Sequence, residues 1–213
     1  MGSPLTPALG LQIAAQATPY VEGTGALYIR ESSDSTKVFV LTARHVVLPP
    51  NAEPNELYIR KDVRPRQPPR DVLLLGSKAF QQVLKSTMVK IGRDAFKVDH
   101  CNDRLEELAM RVPGGKEDQV AHWQDTTEKT KKAIDTLDEF HTEVTKNWSL
   151  EEHRVLGHIT YSPPISVGTG IKRFTEDWAL IELDSDKIDW KTFKGNVIDL
   201  GAFRSISHQG RLV

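Results

Sequence analysis

Seven short segments of the chain are rich in β-branched, aromatic and other apolar residues and are bounded by polar or proline-containing stretches. Segments of this length and composition are typical of β-strands. The first two are separated by the polar cluster 31–35, an arrangement that predicts a β-hairpin. The seven predicted strands are residues 26–30, 37–41, 56–60, 71–75, 154–161, 178–183 and 196–200.

Between the fourth and fifth predicted strands, the apolar period changes from two to about three and a half residues. Apolar residues recur every three or four positions across residues 80–108, and again across residues 120–148. A strong helix breaker, Pro-Gly-Gly at 113–115, lies between the two runs. Because two amphipathic helices joined by a tight turn bury their apolar faces against each other, we predict a long antiparallel helical hairpin over residues 77–151.

The fold class predicted by this order of elements is α+β, a mainly antiparallel β domain that carries the inserted α-helical hairpin. The β domain comprises residues 19–76 and 152–201, and the hairpin comprises residues 77–151. Residues 1–18 are rich in Pro, Ala and Gln without a clear period, and we predict a loose N-terminal arm there. Residues 202–213 also lack a period and are predicted to form a tail.

The composition is that of an ordinary globular protein of 213 residues, with 38% hydrophobic and 27% charged residues. The 28 Lys and Arg residues balance 29 Asp and Glu residues, so no charge excess favours nucleic acid or an anionic membrane as a partner. No window approaches the roughly 18 apolar residues that cross a bilayer. The single cysteine, Cys101, excludes an intramolecular disulfide, and no secretory signal is evident, so we expect an intracellular, cytoplasmic protein.

The sequence contains no motif for a metal ion or another cofactor. Most histidines are scattered, and Asp99-His100-Cys101 lies on a predicted helix, where adjacent side chains point apart and cannot share a metal. Gly168-Thr169-Gly170 lacks the spacing of a phosphate-binding loop and is more simply a turn. We therefore expect neither a cofactor nor a metal site.

Two short motifs carry candidate chemistry. Thr42-Ala43-Arg44-His45 places a histidine directly after a predicted strand, and Asp177 directly precedes the apolar run Trp178-Ala179-Leu180-Ile181. Both motifs resemble those of the trypsin-like serine proteases of the chymotrypsin fold, in which the histidine and the aspartate of the triad have these flanks. The resemblance implies the first β-barrel of that fold, with His45 as general base and Asp177 as the carboxylate that orients it.

The spacing of the two motifs is larger than this family usually has. About 130 residues separate His45 from Asp177, and the excess is close to the length of the hairpin that periodicity alone predicts. Removing the hairpin restores a spacing like that of the family. The wider stretches 154–167 and 187–201 are also similar to a group of fungal trypsin-like proteins of poorly described function.

A nucleophilic serine is the missing part of this constellation. In the family, the serine lies in a Gly-Asp-Ser-Gly type segment of a second barrel, and no such segment occurs here. Ser166 is not in a G-x-S-x-G elbow and precedes the aspartate, and Ser205 and Ser207 lie in the tail without flanking glycines. We therefore expect an incomplete trypsin-like protease that is inactive alone, with the second barrel absent through truncation or an error in the gene model.

Two other interpretations stay open. The chain can be a non-catalytic interaction module whose coiled-coil hairpin binds a protein or peptide partner, or associates with itself, through outer apolar residues such as Phe140 and Leu150. Alternatively, a separately encoded second barrel supplies the serine in trans. The sequence does not fix the oligomeric state or the substrate.

Overall fold

The structure, a computed structural model, describes residues 9–32, 34–61, 70–110, 117–191, 193 and 195–197. It is a mixed α/β fold with an antiparallel sheet and a long helical region. The chain divides into two compact units. One consists of the described parts of Met1–Ala79 and Arg154–Val213, and the other consists of the described parts of Phe80–His153.

The first unit contains ten described β-strands. In chain order they are β1 (Gln12–Ala15), β2 (Glu22–Thr24), β3 (Leu27–Arg30), β4 (Val38–Thr42), β5 (Tyr58–Ile59), β6 (Asp71–Leu74), β7 (Val155–Ser162), β8 (Ser166–Thr169), β9 (Phe174–Glu176) and β10 (Ala179–Leu183). Eight of them form one sheet. Seven of these follow the order β2-β1-β6-β7-β10-β4-β3, and the eighth, β5, pairs with β7. The strand pairs are antiparallel, and β8 and β9 form a separate two-stranded ribbon.

The two edge strands of the large sheet are consecutive in the chain. Only Gly25 and Ala26 separate β2 from β3, so one extended segment pairs with β1 along its first half and with β4 along its second half. Gly23 in this segment lies against the side chain of Val46, where a Cβ atom would overlap that side chain. A glycine at position 23 therefore allows the one-turn helix α1 (Arg44–Val47) to approach the sheet closely.

The N-terminal prediction was wrong for the described part of residues 1–18. Gln12–Ala15 is a strand, not part of a loose arm, and it pairs with both β2 and β6. Ile13 and Ala14 are completely buried. The segment is too short to show a period, and its pairing with β6 joins residues that are distant in the sequence. Its local composition therefore does not predict a strand.

The other predicted strands are present with shifted bounds. The hairpin over residues 26–41 is β3 and β4, and the predicted strand 56–60 is reduced to Tyr58–Ile59. In the predicted strand 196–200, the first two residues are not in a strand, and the last three lie outside the described residues. Asn196 instead bonds through its side-chain amide to the backbone of Tyr28. The predicted tail 202–213 also lies outside the described residues.

The second unit is helical. Helix α2 (Ser77–Met110) continues into it from the first unit, and α3 (Glu117–Trp148) is a helix of similar length. The imidazole of His100 on α2 and the indole of Trp123 on α3 meet edge to face, with ring centroids 6.1 Å apart. The predicted breaker at 113–115 lies outside the described residues, and no described helix is long and apolar enough to cross a membrane.

The buried positions of the helices follow the predicted apolar period only in part. On α2, Thr87 is buried and the neighbouring Met88, which belongs to the apolar period, is exposed. The hydroxyl groups of the buried residues Thr87, Thr127 and Thr130 donate to backbone carbonyls one turn earlier. Because each hydroxyl is satisfied within its own helix, threonine can occupy buried positions. Thr127 and Thr130 lie on the predicted period of α3, whereas Thr87 lies beside the predicted period of α2.

Candidate functional site

The sheet brings the two predicted site residues to the same place. His45 follows the end of β4 and lies in α1, and Asp177 lies just before β10. These strands are antiparallel neighbours, with Thr42 opposite Ala179, so the end of one strand lies beside the start of the other. Residues 132 positions apart in the sequence therefore come into direct contact.

Asp177 holds His45 at two points. One carboxylate oxygen, Oδ2, lies 2.5 Å from Nδ1 of the imidazole. The other oxygen, Oδ1, accepts a hydrogen bond of 3.1 Å from the backbone N–H of His45. Because an ionised carboxylate only accepts hydrogen bonds, the contact with Nδ1 requires a proton on that nitrogen. In the neutral imidazole, the lone pair is then on Nε2.

The two side chains differ in their access to solvent. The side chain of His45 is 55% exposed, whereas that of Asp177 is 22% exposed. Within the described residues, no hydrogen bond is made to Nε2 of His45. Asp177 therefore binds Nδ1 of the imidazole, and no described residue bonds to Nε2. General-base catalysis needs this arrangement.

No protein-family model, curated protein or solved structure matches this chain. The functional argument therefore rests on the residues themselves.

Sequence reasoning missed the role of Arg44, which lies between Ala43 and His45 in the histidine motif. The residue is only 2% exposed. Nη1 donates to the backbone oxygens of Ser162 and Pro163, both at 3.2 Å, and to Oγ of Ser162 at 2.9 Å. Nη2 donates to the backbone oxygen of Pro54 at 3.0 Å. A buried guanidinium is thus paired with neutral acceptors from two loops and a strand end.

The charge of Arg44 is affected by its surroundings. Burial is the main cause that lowers its pKa below the ordinary value, and the positive charge of Arg70 acts in the same direction. The negative charges of Glu53 and Asp177 act in the opposite direction. An arginine side chain stays protonated despite such effects, so a buried positive charge is present on the residue next to His45.

Among the described residues, no serine hydroxyl bonds to His45. Ser166, at the start of β8, has its hydroxyl 3.5 Å from the backbone oxygen of Pro164, which is a weak contact at best. Ser205 and Ser207 lie outside the described residues. No group of three or more His, Cys, Asp or Glu side chains in the described part of the chain is arranged to hold a metal ion.

An exposed apolar surface adjoins the aspartate in the sequence. The ribbon of β8 and β9 directly precedes Asp177, and it exposes Val167, Ile171 in its turn and Phe174. Three large apolar side chains are thus exposed within eight residues. We refer to these three residues as the apolar ribbon surface.

Proposed function

We propose that this chain is the histidine- and aspartate-bearing part of a trypsin-like serine protease and requires a serine from elsewhere to act. The observation that carries the proposal is the two-point contact of Asp177 with the ring and the backbone of His45. This contact fixes the tautomer and the orientation of the imidazole, as the general base of a serine protease requires.

The proposed architecture is the first β-barrel of the chymotrypsin fold with a helical hairpin inserted in it. Supporting this, β2 and β3 are the two ends of the strand order and are also one continuous segment, so the sheet can close on itself. The helices α2 and α3 lie between β6 and β7 in the chain, and the His100–Trp123 contact joins them. We propose that they pack antiparallel, as their similar lengths favour.

In the proposed mechanism, Nε2 of His45 accepts the proton of a serine hydroxyl as the serine oxygen bonds to the carbonyl carbon of a peptide. Asp177 stabilises the imidazolium that forms, because its carboxylate remains bonded to the protonated Nδ1. His45 then gives the proton to the leaving amine, and the C–N bond breaks to leave an ester on the serine. Water, deprotonated by the same nitrogen, hydrolyses that ester.

The serine and the donors that stabilise the oxyanion are the parts that the described residues do not provide around His45. We propose that a second polypeptide or domain provides them and contacts the apolar ribbon surface, which lies just before Asp177 in the chain. Among the described residues, the His45–Asp177 pair has no hydroxyl to activate, and we therefore expect no peptide hydrolysis by the chain alone.

A fluorophosphonate probe, which forms a covalent bond with activated serines, tests this proposal. We expect no labelling of the purified chain. When the chain is added to an extract of its source cells, we expect a second polypeptide to be labelled with the unaltered chain and not with His45→Ala. If the purified chain is itself labelled and His45→Ala is not, it holds its own nucleophile and the proposal of an incomplete protease is wrong.

A second candidate function is a non-catalytic interaction module that uses the helical unit. It is favoured by exposed apolar side chains on that unit, among them Phe96, Met110 and Leu150. Phe140, which the sequence also suggested, is half-buried and contributes less. Sedimentation equilibrium tests self-association through this surface. Concentration-dependent mass that disappears in Phe96→Asp, and not in Lys97→Asp beside it, would support the module; equal behaviour of both variants would contradict it.

A further inference from the structure

Arg44 and Ser162 form a hydrogen-bonded connection between the two chain segments that carry His45 and Asp177. Arg44 immediately precedes His45, and Trp178 immediately follows Asp177. The hydroxyl of Ser162 accepts a hydrogen bond from Nη1 of Arg44 at 2.9 Å and donates one to the backbone oxygen of Trp178 at 2.8 Å. The neighbours of the two site residues are therefore joined through a single buried oxygen atom.

The hydrogen-bonding capacity of serine suits this position. A hydroxyl group has one proton to donate and two lone pairs to accept with, and here it donates to a carbonyl and accepts from a guanidinium. Ser162 is completely buried, so water does not compete for these bonds. The connection is independent of the direct contact between Asp177 and His45, because it involves different atoms of different residues.

We infer that Arg44 and Ser162 are positioning residues, which keep the aspartate segment at bonding distance from the imidazole of His45. This inference rests on the proposed function, since it assigns a purpose to the geometry of the same site. Arg44 also bonds to Pro54 and Pro163, so its guanidinium is anchored on two further sides and does not move with the serine. A fixed donor of this kind restrains Ser162, and Ser162 in turn restrains the backbone next to Asp177.

If Ser162 had a purely structural role, Ser162→Ala would lower the stability of the protein but would have no particular effect on the imidazole of His45. Thr160 provides the matched control, because it also lies on β7 and its hydroxyl also donates to a carbonyl at β10, that of Leu180, at 3.2 Å. Thr160 has no bond to Arg44 among the described contacts. Ser162→Ala and Thr160→Val therefore each remove one hydroxyl of β7 that donates to a backbone carbonyl, and only the first interrupts the connection.

The readout is the solvent-exchange rate of the Nδ1 proton of His45, measured by NMR on protein with 15N-labelled histidine. We expect Ser162→Ala to accelerate the exchange about three- to tenfold, the factor by which one hydrogen bond of ordinary net strength shifts an opening equilibrium. We expect Thr160→Val to leave the rate within about twofold of the unaltered protein. Amide exchange in β4 and β10, measured on the same samples, verifies that the sheet is intact.

If Ser162→Ala does not fold, Arg44→Lys is used in its place, because lysine keeps the charge but cannot reach all four acceptors. It should accelerate the Nδ1 exchange more than Thr160→Val does. Equal exchange rates in the test variant and in Thr160→Val would overturn the inference while leaving the proposed function standing. A Nδ1 proton that is absent from the unaltered protein would overturn both.

Discussion

His45 donates two hydrogen bonds to Asp177, one from Nδ1 of its ring to Oδ2 and one from its backbone N–H to Oδ1. The second bond matters because it fixes the carboxylate relative to the main chain, so the aspartate cannot follow the ring if the side chain rotates. A rotation of the imidazole therefore breaks a short charge-assisted bond without offering another partner. The ring is held in one orientation with Nε2 outward.

We predict that Arg44 makes a large contribution to stability in spite of its unusual place in the interior. Replacing it by Met leaves several buried acceptors without a donor, so we expect a loss of about 3 kcal/mol or more in the free energy of unfolding. Urea denaturation followed by circular dichroism measures it. Arg93→Met, at an exposed position of α2, is the control and should change the value by less than about 0.5 kcal/mol. Equal losses in the two variants would contradict the structural role of Arg44.

We predict that His158 makes the protein less stable as the pH falls below the ordinary histidine pKa of 6.5. Burial is the main cause that lowers the pKa of His158, and the charge of Arg60 acts in the same direction. The unfolded chain then binds a proton at a higher pH than the folded chain, so stability present above pH 6.5 is lost as the pH decreases through and below that value.

The test compares unfolding free energies at pH 7.5 and at pH 5.5 for the unaltered protein and for His158→Gln. We expect a smaller loss in the variant, because it lacks the titrating group. His122→Gln, on the exposed side of α3, should lose as much as the unaltered protein. A loss in His158→Gln as large as that of the unaltered protein would show that the burial of His158 has no such effect.

We predict a second, alkaline pH dependence from Tyr28. Burial raises the pKa of this phenol from 10.0 to about 12, and its hydroxyl has no hydrogen-bond partner among the described residues. The unfolded chain releases the proton first, so stability is lost as the pH rises from 10 towards 12. Tyr28→Phe should abolish this loss of stability at high pH. It also removes an unsatisfied hydroxyl, so we expect the free energy of unfolding at neutral pH to rise by up to about 1 kcal/mol.

The absorbance of tyrosinate near 295 nm measures this effect directly, because the late-titrating fraction should be smaller in Tyr28→Phe. Tyr58, whose pKa is also raised by burial, still contributes to that fraction in the variant. Tyr20 is exposed, so Tyr20→Phe is the control and should leave the late-titrating fraction unchanged. A late fraction of the same size in Tyr28→Phe and in the unaltered protein would contradict the prediction for Tyr28.

Local sequence was enough to predict the strands that carry the site and the two residues that meet there. β4 and β10 have strong apolar patterns, and His45 and Asp177 lie at their ends, so an antiparallel pairing of these strands is sufficient to join them. The two long helices were predicted for the same reason, since their period extends over more than thirty residues each.

The features that sequence reasoning missed depend on partners that are distant in the chain. Arg44 is buried because Pro54 and Ser162 supply oxygens around it, and neither is recognisable from the residues next to Arg44. The short strand β1 exists because β2 and β6 enclose it. The β8–β9 ribbon was missed because its strands are short and one contains a glycine with positive φ, at Gly168. In each case the tertiary environment outweighs the local pattern.

The central claim is that Asp177 holds His45 as a base with its proton on Nδ1 and its lone pair on Nε2. The 15N chemical shifts of the neutral His45 ring, compared between the unaltered protein and Asp177→Asn, test it most directly, because protonated and unprotonated ring nitrogens resonate far apart. We predict a protonated Nδ1 and a bare Nε2 in the unaltered protein, and a changed distribution of the proton in Asp177→Asn. A proton on Nε2 in the unaltered protein, or identical shifts in the two proteins, would contradict the claim.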